Sequence, residues 1–297
     1  MTELLDKIII RFFFIILICL VLVGYRYAHA FFYGNHRPQT LRRFFPTKNA
    51  SDTIHLFARI LGVVIIFQNI TVSMAHGIWW ASINFCCEGI IVFLMYLGSI
   101  YIIEGIALYD FEYTNEITER KNFAYATVSG LQAIAVAIVL TSIFKAAQHS
   151  LPLLFILWPL SLVLLGITAK LFKYLSVLSF SKMLIQGKMA IALSYGGHIC
   201  GWSFLIAAAF HNNGSALQWY AGHIILRLLL SIIIFPLIRQ GLILVFRIQN
   251  DYNPGTAADT PERELGQGIY EGLLGLTSCI LIAIITENIE FDPFYDH

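Results

Sequence analysis

Eight long apolar runs constrain the fold of this chain more than any other feature. They cover approximately residues 12–33, 54–76, 88–109, 123–144, 151–172, 189–210, 223–246 and 265–286. A helix needs about 20 apolar residues to cross a bilayer, and open strands cannot satisfy their backbone hydrogen bonds in lipid. The runs therefore predict an all-α, polytopic transmembrane helix bundle of about eight spans. No small-x-small cleavage pattern ends the first run, so we interpret it as a retained span rather than a signal peptide.

The composition excludes a soluble protein and several classes of site. Apolar residues make up 58% of the 297 residues and charged residues only 12%, whereas a soluble domain has about 25% charged residues. The net charge of +1 provides no basic field for nucleic acid, and no base-reading module is present. The five cysteines include no C-x-x-C pair and lie mostly in apolar runs, which predicts neither a disulfide framework nor a zinc site.

The sequence also lacks the motifs of common enzymes. It has no G-x-x-x-x-G-K-[ST] loop, no G-x-S-x-G elbow and no G-x-G-x-x-G in a nucleotide-binding setting. The connections between the spans are each under about 20 residues, too short to hold a catalytic domain. We predict no enzymatic activity and no cofactor, with an intramembrane lipid enzyme as the remaining catalytic alternative.

Lys and Arg collect on one side of the predicted bundle, and this bias indicates its orientation. The connections after the first, third, fifth and seventh spans carry eleven of these residues, whereas the opposite face carries three. This predicts that those four connections are cytoplasmic and that both termini lie outside the cytoplasm. The eleven are Arg37, Arg42, Arg43, Lys48, Arg120, Lys121, Lys173, Lys182, Lys188, Arg247 and Arg263, and the three are Lys7, Arg11 and Lys145.

Small residues recur at matched positions near the start of every second span. In the first unit Ala58 and Gly62 occupy the last two positions, whereas Leu56 departs from the pattern. Small residues four apart line one helical face and let helices approach closely in lipid. We predict four helical hairpins forming two four-helix halves, residues 1–147 and 148–297, as parallel repeats about the membrane normal. The matched sets are Ala124/Ala190/Gly266, Ala126/Ala192/Gly268 and Gly130/Gly196/Gly272.

Two of these segments resemble a known family. Asn122-Phe-Ala-Tyr-Ala and Gly187-Lys-Met-Ala-Ile-Ala, each followed by a glycine, are similar to the YjfL-like family, a domain-of-unknown-function (DUF) family of bacterial inner-membrane proteins. Members typically have four helices in two such hairpins, so the chain resembles two family domains in tandem. The last unit is a variant with Gly266 and Gly268, and the first unit matches poorly. The resemblance implies a bacterial inner-membrane setting with a link to envelope stress, and no catalytic residue or ligand.

Ionisable residues near the inner ends of the odd-numbered spans are the first candidates for a functional site. The simplest interpretation is that these long side chains reach the lipid headgroups. Alternatively the four positions converge, with Glu104 as counter-ion of Lys170 or of an arginine. Glutamate reaches headgroups poorly, so Glu104 fits the first interpretation least. The four residues are Arg26, Glu104, Lys170 and Arg239.

Polar residues near the matched glycines complete the candidate site. Glu271 corresponds to Ser129 and Tyr195, and Gln132 corresponds to His198. Hydrogen bonds between helices explain them most simply. A proton- or cation-binding carboxylate at Glu271 and a proton-exchanging His198 are the functional alternative. We predict an intramembrane polar site where the two halves meet, lined by Glu104, Ser129, Gln132, Lys170, His198, Arg239 and Glu271.

The outer end of the predicted bundle offers a second group of candidates. Arg227 and His223 share a helical face, and Glu88 is a candidate partner. Arg227 is either an interface anchor or part of a contact for an anionic lipid head or solute. Outer-face histidines suit zinc or copper, but no H-x-x-x-H pair is present and we predict no metal site. These histidines are His76, His149, His211, His223 and His297.

Two inner connections differ in charge. The connection at 36–46 is basic and aromatic, which makes Arg37, Arg42 and Arg43 candidate contacts for anionic lipid heads. The connection at 110–121 is mostly acidic. The two either contact one another, dock a cytoplasmic protein, or are simply solvated.

Two functions are consistent with these features. The first is a carrier or channel for a small solute or ion, which needs a polar cavity reaching into the membrane. The second is a non-transporting scaffold or envelope-stress component that acts through its cytoplasmic loops and can be packed solid. Either would have the bilayer as its main partner, with a homo-oligomer or another membrane protein as a further partner.

Overall fold

The structure is a computed structural model. It describes residues 2–32, 46–68, 70, 77–147, 150–211, 217–249, 252 and 260–287. These residues form helices, turns and loops and contain no strand, and eight of the helices are long and apolar enough to cross a membrane. The prediction of an all-α transmembrane bundle is therefore confirmed. The basic residues Arg37, Arg42 and Arg43 lie outside the described residues.

The helices form four hairpins in chain order. A π-helical turn at Thr114–Glu119 and a six-residue helix at Phe180–Ile185 lie in two of the connections between the long helices. The long helices are α1 (Thr2–Phe32), α2 (Ala50–Phe67), α3 (Ile78–Ala107), α4 (Phe123–Ala147), α5 (Leu151–Leu175), α7 (Met189–Ala209), α8 (Leu217–Val245) and α9 (Pro261–Glu287), and α6 is Phe180–Ile185.

The second helices of the hairpins form a continuous inner row, in the order α2, α4, α7 and α9. Glycines allow the close approach that this row requires. A Cβ atom on Gly130 would lie 2.9 Å from the Cβ atom of Ala58, and one on Gly272 would lie 2.3 Å from the carbonyl oxygen of Leu193. The small-residue face predicted from the sequence is therefore the face along which these helices pack.

The first helices of the hairpins lie outside this row and face lipid over much of their length. α3 and α5 pack against α4 and against each other, whereas α1 contacts α2 and α3, and α8 contacts α7 and α9. The contact between α3 and α5 includes a hydrogen bond from Trp158 Nε1 to Ser99 Oγ at 2.8 Å. Beyond Ser231, the rest of α8 has no buried residue. These exposed helices carry the apolar surface expected of a protein in a bilayer.

We call the end of the bundle that carries the connections α1–α2, α3–α4, α5–α7 and α8–α9 the inner face. Here the connections of the two halves contact each other. Asn122 donates from Nδ2 to the carbonyl oxygen of Leu184 at 2.8 Å, and Arg120 donates to the carbonyl oxygen of Ile185. Gly187, with φ +69°, lies against Asn122, so both family-like segments meet at this contact.

Two predicted span boundaries were wrong. α2 ends at Phe67 rather than near residue 76, and α3 begins at Ile78 rather than near residue 88. Gly77 precedes α3 with φ +85°, a conformation that glycine adopts readily, so the helix starts there. The polar residues Asn84 and Glu88 lower the local hydropathy without ending the helix, and this is why the apolar run alone placed its start too late.

Candidate functional site

A buried ion pair lies inside the first half of the bundle. Arg59 of α2 pairs through Nη2 with Oε1 of Glu104 on α3. The same guanidinium nitrogen donates to Oγ of Ser129 on α4 at 3.1 Å, and the Ser129 hydroxyl donates to Glu104. Arg59 is 1% exposed, so the charges have little access to water and depend on each other. The network joins three helices.

The backbone around Arg59 is held by two further contacts. The Tyr96 hydroxyl donates to the carbonyl oxygen of Arg59 at 3.1 Å. A Cβ atom on Gly62 would overlap this hydroxyl, which explains why glycine is needed at that position. Arg59 also donates from Nη1 to the carbonyl oxygen of His55 at 3.1 Å. The guanidinium is therefore fixed in position, and its positive charge neutralises Glu104.

Between Arg59 and the inner face, Tyr113 covers the start of α2. Its hydroxyl donates to Oδ1 of Asp52 at 2.9 Å, and its ring centroid lies 4.8 Å from that of His55. Burial, together with the neighbouring Asp52 carboxylate, raises the pKa of Tyr113 above its usual value. The phenol therefore keeps its proton near neutral pH and remains a hydrogen-bond donor.

A second carboxylate network lies in the other half, around Glu271 of α9. Its Oε2 accepts hydrogen bonds of 2.7 Å from the hydroxyls of Ser176 and Ser194. Its Oε1 accepts from Gln267 Nε2 at 3.0 Å and from the Val177 backbone N–H at 3.4 Å. Within the described part of the chain, every group that hydrogen bonds to Glu271 is uncharged. The Glu271 carboxylate is partly buried. Its hydrogen-bonding neighbours do not neutralise its charge.

A polar strip leads from the inner face to Glu271. Glu264, Gln267 and Glu271 recur every three or four residues on α9 and share one face. Glu264 pairs with Lys188 Nζ at 2.6 Å near the start of α7. Gln267, which hydrogen bonds to Glu271, also lines an inner-face cavity of about 310 Å³. The other lining residues are Arg263, Tyr270, Tyr252, Gln249, Gly266 and Ile248.

Of the remaining predicted site residues, Gln132 lies where the two halves meet. Gln132 of α4 donates from Nε2 to the hydroxyl of Tyr195 on α7 at 2.6 Å. His198 lies within the second half, with Nε2 3.0 Å from the carbonyl oxygen of Thr168 and its ring beside Phe172. His198 thus has the features of a hydrogen-bonded core histidine.

The remaining two candidates are on the outside of the bundle. Lys170 is exposed on α5, and Arg239 is half-buried on α8. Both positions suit side chains that reach toward the headgroups. Among the described residues, the seven predicted site residues therefore fall into separate groups rather than one central site. Helix rotation about the long axis separates them, and matched sequence positions do not determine that rotation.

At the opposite end, Arg227 has a structural partner. It is 3% exposed and donates from Nη1 to the carbonyl oxygens of His211 at 2.6 Å and Ala208 at 3.3 Å. The Tyr220 hydroxyl donates to the carbonyl oxygen of Phe210 at 2.6 Å. α8 therefore caps the carboxyl end of α7, where unpaired carbonyls and the helix dipole favour a cation.

The other outer-face candidates occupy separate positions. His223 is buried one turn before Arg227 on α8. Glu88 of α3 lines a cleft of about 170 Å³ with Asn84, Cys87, Ile91 and residues of α4 and α5. The predicted grouping of His223, Arg227 and Glu88 is therefore divided between the α7–α8 contact and this cleft. His76, His149 and His297 lie outside the described residues.

Arg59 is central to the first network, yet the sequence pattern assigned it no role. The repeat gave no signal, because the matched positions hold Thr127, Leu193 and Ile269. One signal was present: an arginine inside an apolar span is costly without a partner. Glu104, the predicted ionisable residue that fitted headgroup contact least, is that partner.

The comparisons with known proteins agree with the tandem arrangement. A family described as Domain of Unknown Function (DUF350) matches residues 3–144 and again residues 146–286. No curated protein and no solved structure matches the chain. The prediction of two tandem domains from a DUF family of membrane proteins is confirmed. The predicted division at residue 147 falls close to the junction of the matched regions.

Proposed function

The chain belongs to the DUF350 family, and from that premise we propose that this integral membrane protein is a carrier or channel for a proton or small cation, with Glu271 as the binding group. The observation that carries the proposal is the difference between the two carboxylate networks. Glu104 is neutralised by Arg59, whereas the hydrogen-bonding neighbours of Glu271 in the described residues are uncharged. A carboxylate without a counter-ion inside a membrane span is costly unless it binds a cation or a proton.

The surroundings of Glu271 suit that role chemically. The hydroxyls of Ser176 and Ser194 both contact Oε2 at 2.7 Å. A hydroxyl is both donor and acceptor, so each can rotate to present its oxygen to a bound cation. Hard cations prefer carboxylate and hydroxyl oxygens. When the carboxylate is protonated instead, the same hydroxyls can accept its proton in a hydrogen bond.

The inner face supports access to Glu271. Because α9 begins at Pro261, Glu271 lies about 15 Å along the helix axis from that end. The cavity of about 310 Å³ beside Arg263 and Gln267 lies at the inner end, and Gln267 contacts Glu271 directly. Gln267 therefore connects the cavity to the carboxylate. We further propose a bacterial inner-membrane location with this face in the cytoplasm.

The test is ion flux in vesicles that contain only the purified protein. Vesicles with an internal pH-sensitive or sodium-sensitive dye and a potassium gradient would be treated with valinomycin, with and without external sodium. We expect Glu271→Gln to reduce proton or sodium flux to that of protein-free vesicles. The matched control is Glu262→Gln on the exposed first turn of the same helix. Equal flux through the wild type and Glu271→Gln would remove Glu271 from the transport site.

A non-transporting scaffold is the second candidate, and one observation favours it. The inner row of α2, α4, α7 and α9 is closely packed through glycine and alanine, and the connections of the two halves contact each other at the inner face. Such a body provides a rigid platform for a cytoplasmic partner. Wild-type vesicles whose proton and sodium flux equals that of protein-free vesicles, with protein shown to be folded, would favour this candidate.

A further inference from the structure

Two histidines and one aspartate converge at the inner face, on the first hairpin. His29 lies in the last turn of α1, and Asp52 and His55 lie near the start of α2. One ligand atom from each of the three lies within 4.8 Å of the others. Asp52 and His55 are three residues apart, so they share one face of α2. The segments that carry these residues belong to different helices, and only folding brings them together.

The burial of the two histidines distinguishes this cluster from polar side chains on an open surface. His29 is 2% exposed and His55 is 0% exposed, whereas Asp52 is half-buried. The histidine ring centroids are 5.6 Å apart. Two buried imidazole groups next to a partly accessible carboxylate provide a two-nitrogen, one-oxygen donor set.

Neighbouring tyrosines can hold the donor groups in place. The Tyr25 hydroxyl lies 3.5 Å from Nδ1 of His29, and the Tyr113 hydroxyl donates to Oδ1 of Asp52 at 2.9 Å. Metal-binding histidines and carboxylates usually have such outer hydrogen bonds, which fix their orientation. The positive charge of the adjacent Arg59 is paired with Glu104, which reduces its repulsion of a cation bound nearby.

We propose that His29, Asp52 and His55 bind one divalent transition-metal ion of the first row. Two imidazoles and a carboxylate suit Zn²⁺, Fe²⁺ or Co²⁺ rather than Mg²⁺ or Ca²⁺, which prefer all-oxygen sites. Donor atoms around a tetrahedral ion are about 3.4 Å apart when its bonds are about 2.0–2.1 Å long. Side-chain movements of about 1 Å would bring atoms that are within 4.8 Å to that spacing.

The ion would fasten α1 to the rest of the bundle. α1 packs along one side, against α2 and α3, and most of its described surface faces outward. Coordination of one ion by His29, Asp52 and His55 would connect the inner end of α1 to α2. The hydrogen bond from Tyr113 to Asp52 extends the contact to the α3–α4 connection. The site is separate from Glu271, which lies on α9 in the other half.

Metal binding can be measured directly on the full chain purified in detergent with a tag that contains no histidine. After chelator treatment and its removal, Co²⁺ would be titrated and followed by visible absorption, and bound Zn²⁺ would be counted by elemental analysis. We expect one ion per chain. His29→Gln, His55→Gln and Asp52→Asn should each lose at least about tenfold in affinity, as for removal of a ligand or its support. His198→Gln is the matched control, because His198 is a core histidine of the other half.

A stability measurement separates metal binding from a folding defect. Zn²⁺ should raise the thermal unfolding temperature of the wild type and of His198→Gln, because a ligand of the native state stabilises it. Zn²⁺ should leave the thermal unfolding temperature of Asp52→Asn unchanged. This variant should still elute as a folded protein. No bound ion in the wild type, or equal Zn²⁺ binding by the wild type and all three ligand variants, would overturn the proposal.

Discussion

Arg59 on α2 and Glu104 on α3 form an ion pair from which water is largely excluded, with 2% and 14% of their side chains exposed. Ser129 on α4 hydrogen bonds to both partners. The pair therefore connects three helices of the first half at one depth. Because both charges are shielded from water, the removal of one affects stability far more than the loss of an ordinary surface pair.

We expect Arg59→Met to destabilise the protein by about 3–5 kcal/mol, since it leaves the Glu104 charge buried without its counter-ion. The double variant Arg59→Met/Glu104→Gln should recover most of that loss, because no uncompensated charge remains. The measurement is the free energy of unfolding in detergent, followed by circular dichroism.

The comparison for this prediction is Lys188→Met, which breaks the pair with Glu264; the Lys188 side chain is 37% exposed, whereas that of Arg59 is 2% exposed. A loss of about 1 kcal/mol or less is expected there. Similar losses for Arg59→Met and Lys188→Met would mean that the Arg59–Glu104 pair contributes no more than a surface contact.

The membrane spans and the small-residue face could be predicted from the sequence because both depend on local pattern. A run of about 20 apolar residues is helical in lipid whatever surrounds it. Gly130, Gly196 and Gly272 recur at matched positions, and all three lie where another helix approaches closely. The resemblance to a tandem DUF family depended on the same segments.

The side-chain partners could not be predicted, because they depend on how each helix rotates about its axis. Glu104 was recognised as a residue that needs a partner, but Arg59 lies 45 residues away on a different helix. Lys170 and Glu104 occupy matched positions in their units, yet Lys170 is exposed. His29 and His55 also lie on different helices, so no motif spacing indicated that they meet.

A second prediction concerns the cap that α8 provides for α7. Arg227→Met should cost about 1.5–3 kcal/mol, the usual range for hydrogen bonds to a charged group, because the carbonyls of Ala208 and His211 lose a charged donor. Arg239→Met is the control on the same helix, since the described residues offer Arg239 no hydrogen bond. It should change stability by about 0.5 kcal/mol or less. Equal effects of the two substitutions in thermal unfolding would contradict the capping role.

A third prediction concerns orientation. In a chain whose five cysteines have been replaced, single cysteines in place of Arg42, Lys182 and Arg263 should be protected from a membrane-impermeant maleimide in intact cells. A cysteine in place of Ser150, in an opposite connection, should react. This follows from the excess of Lys and Arg in the inner-face connections. Reaction at position 42 with protection at position 182, or the reverse, would contradict the arrangement of parallel hairpins.

The fourth prediction tests the glycine contacts between α7 and α9. A Cβ atom on Gly272 would lie 2.3 Å from the backbone oxygen of Leu193, so Gly272→Ala must push the two helices apart. We expect a loss of about 1–3 kcal/mol in the free energy of unfolding, as for overpacked interiors. At Gly275, three residues later on the same helix, the described neighbours leave open space where a Cβ atom would lie. Gly275→Ala should therefore be neutral or stabilise the helix by up to about 1 kcal/mol. If both substitutions were equally harmless in detergent unfolding, α7 and α9 could not be in backbone contact at Gly272.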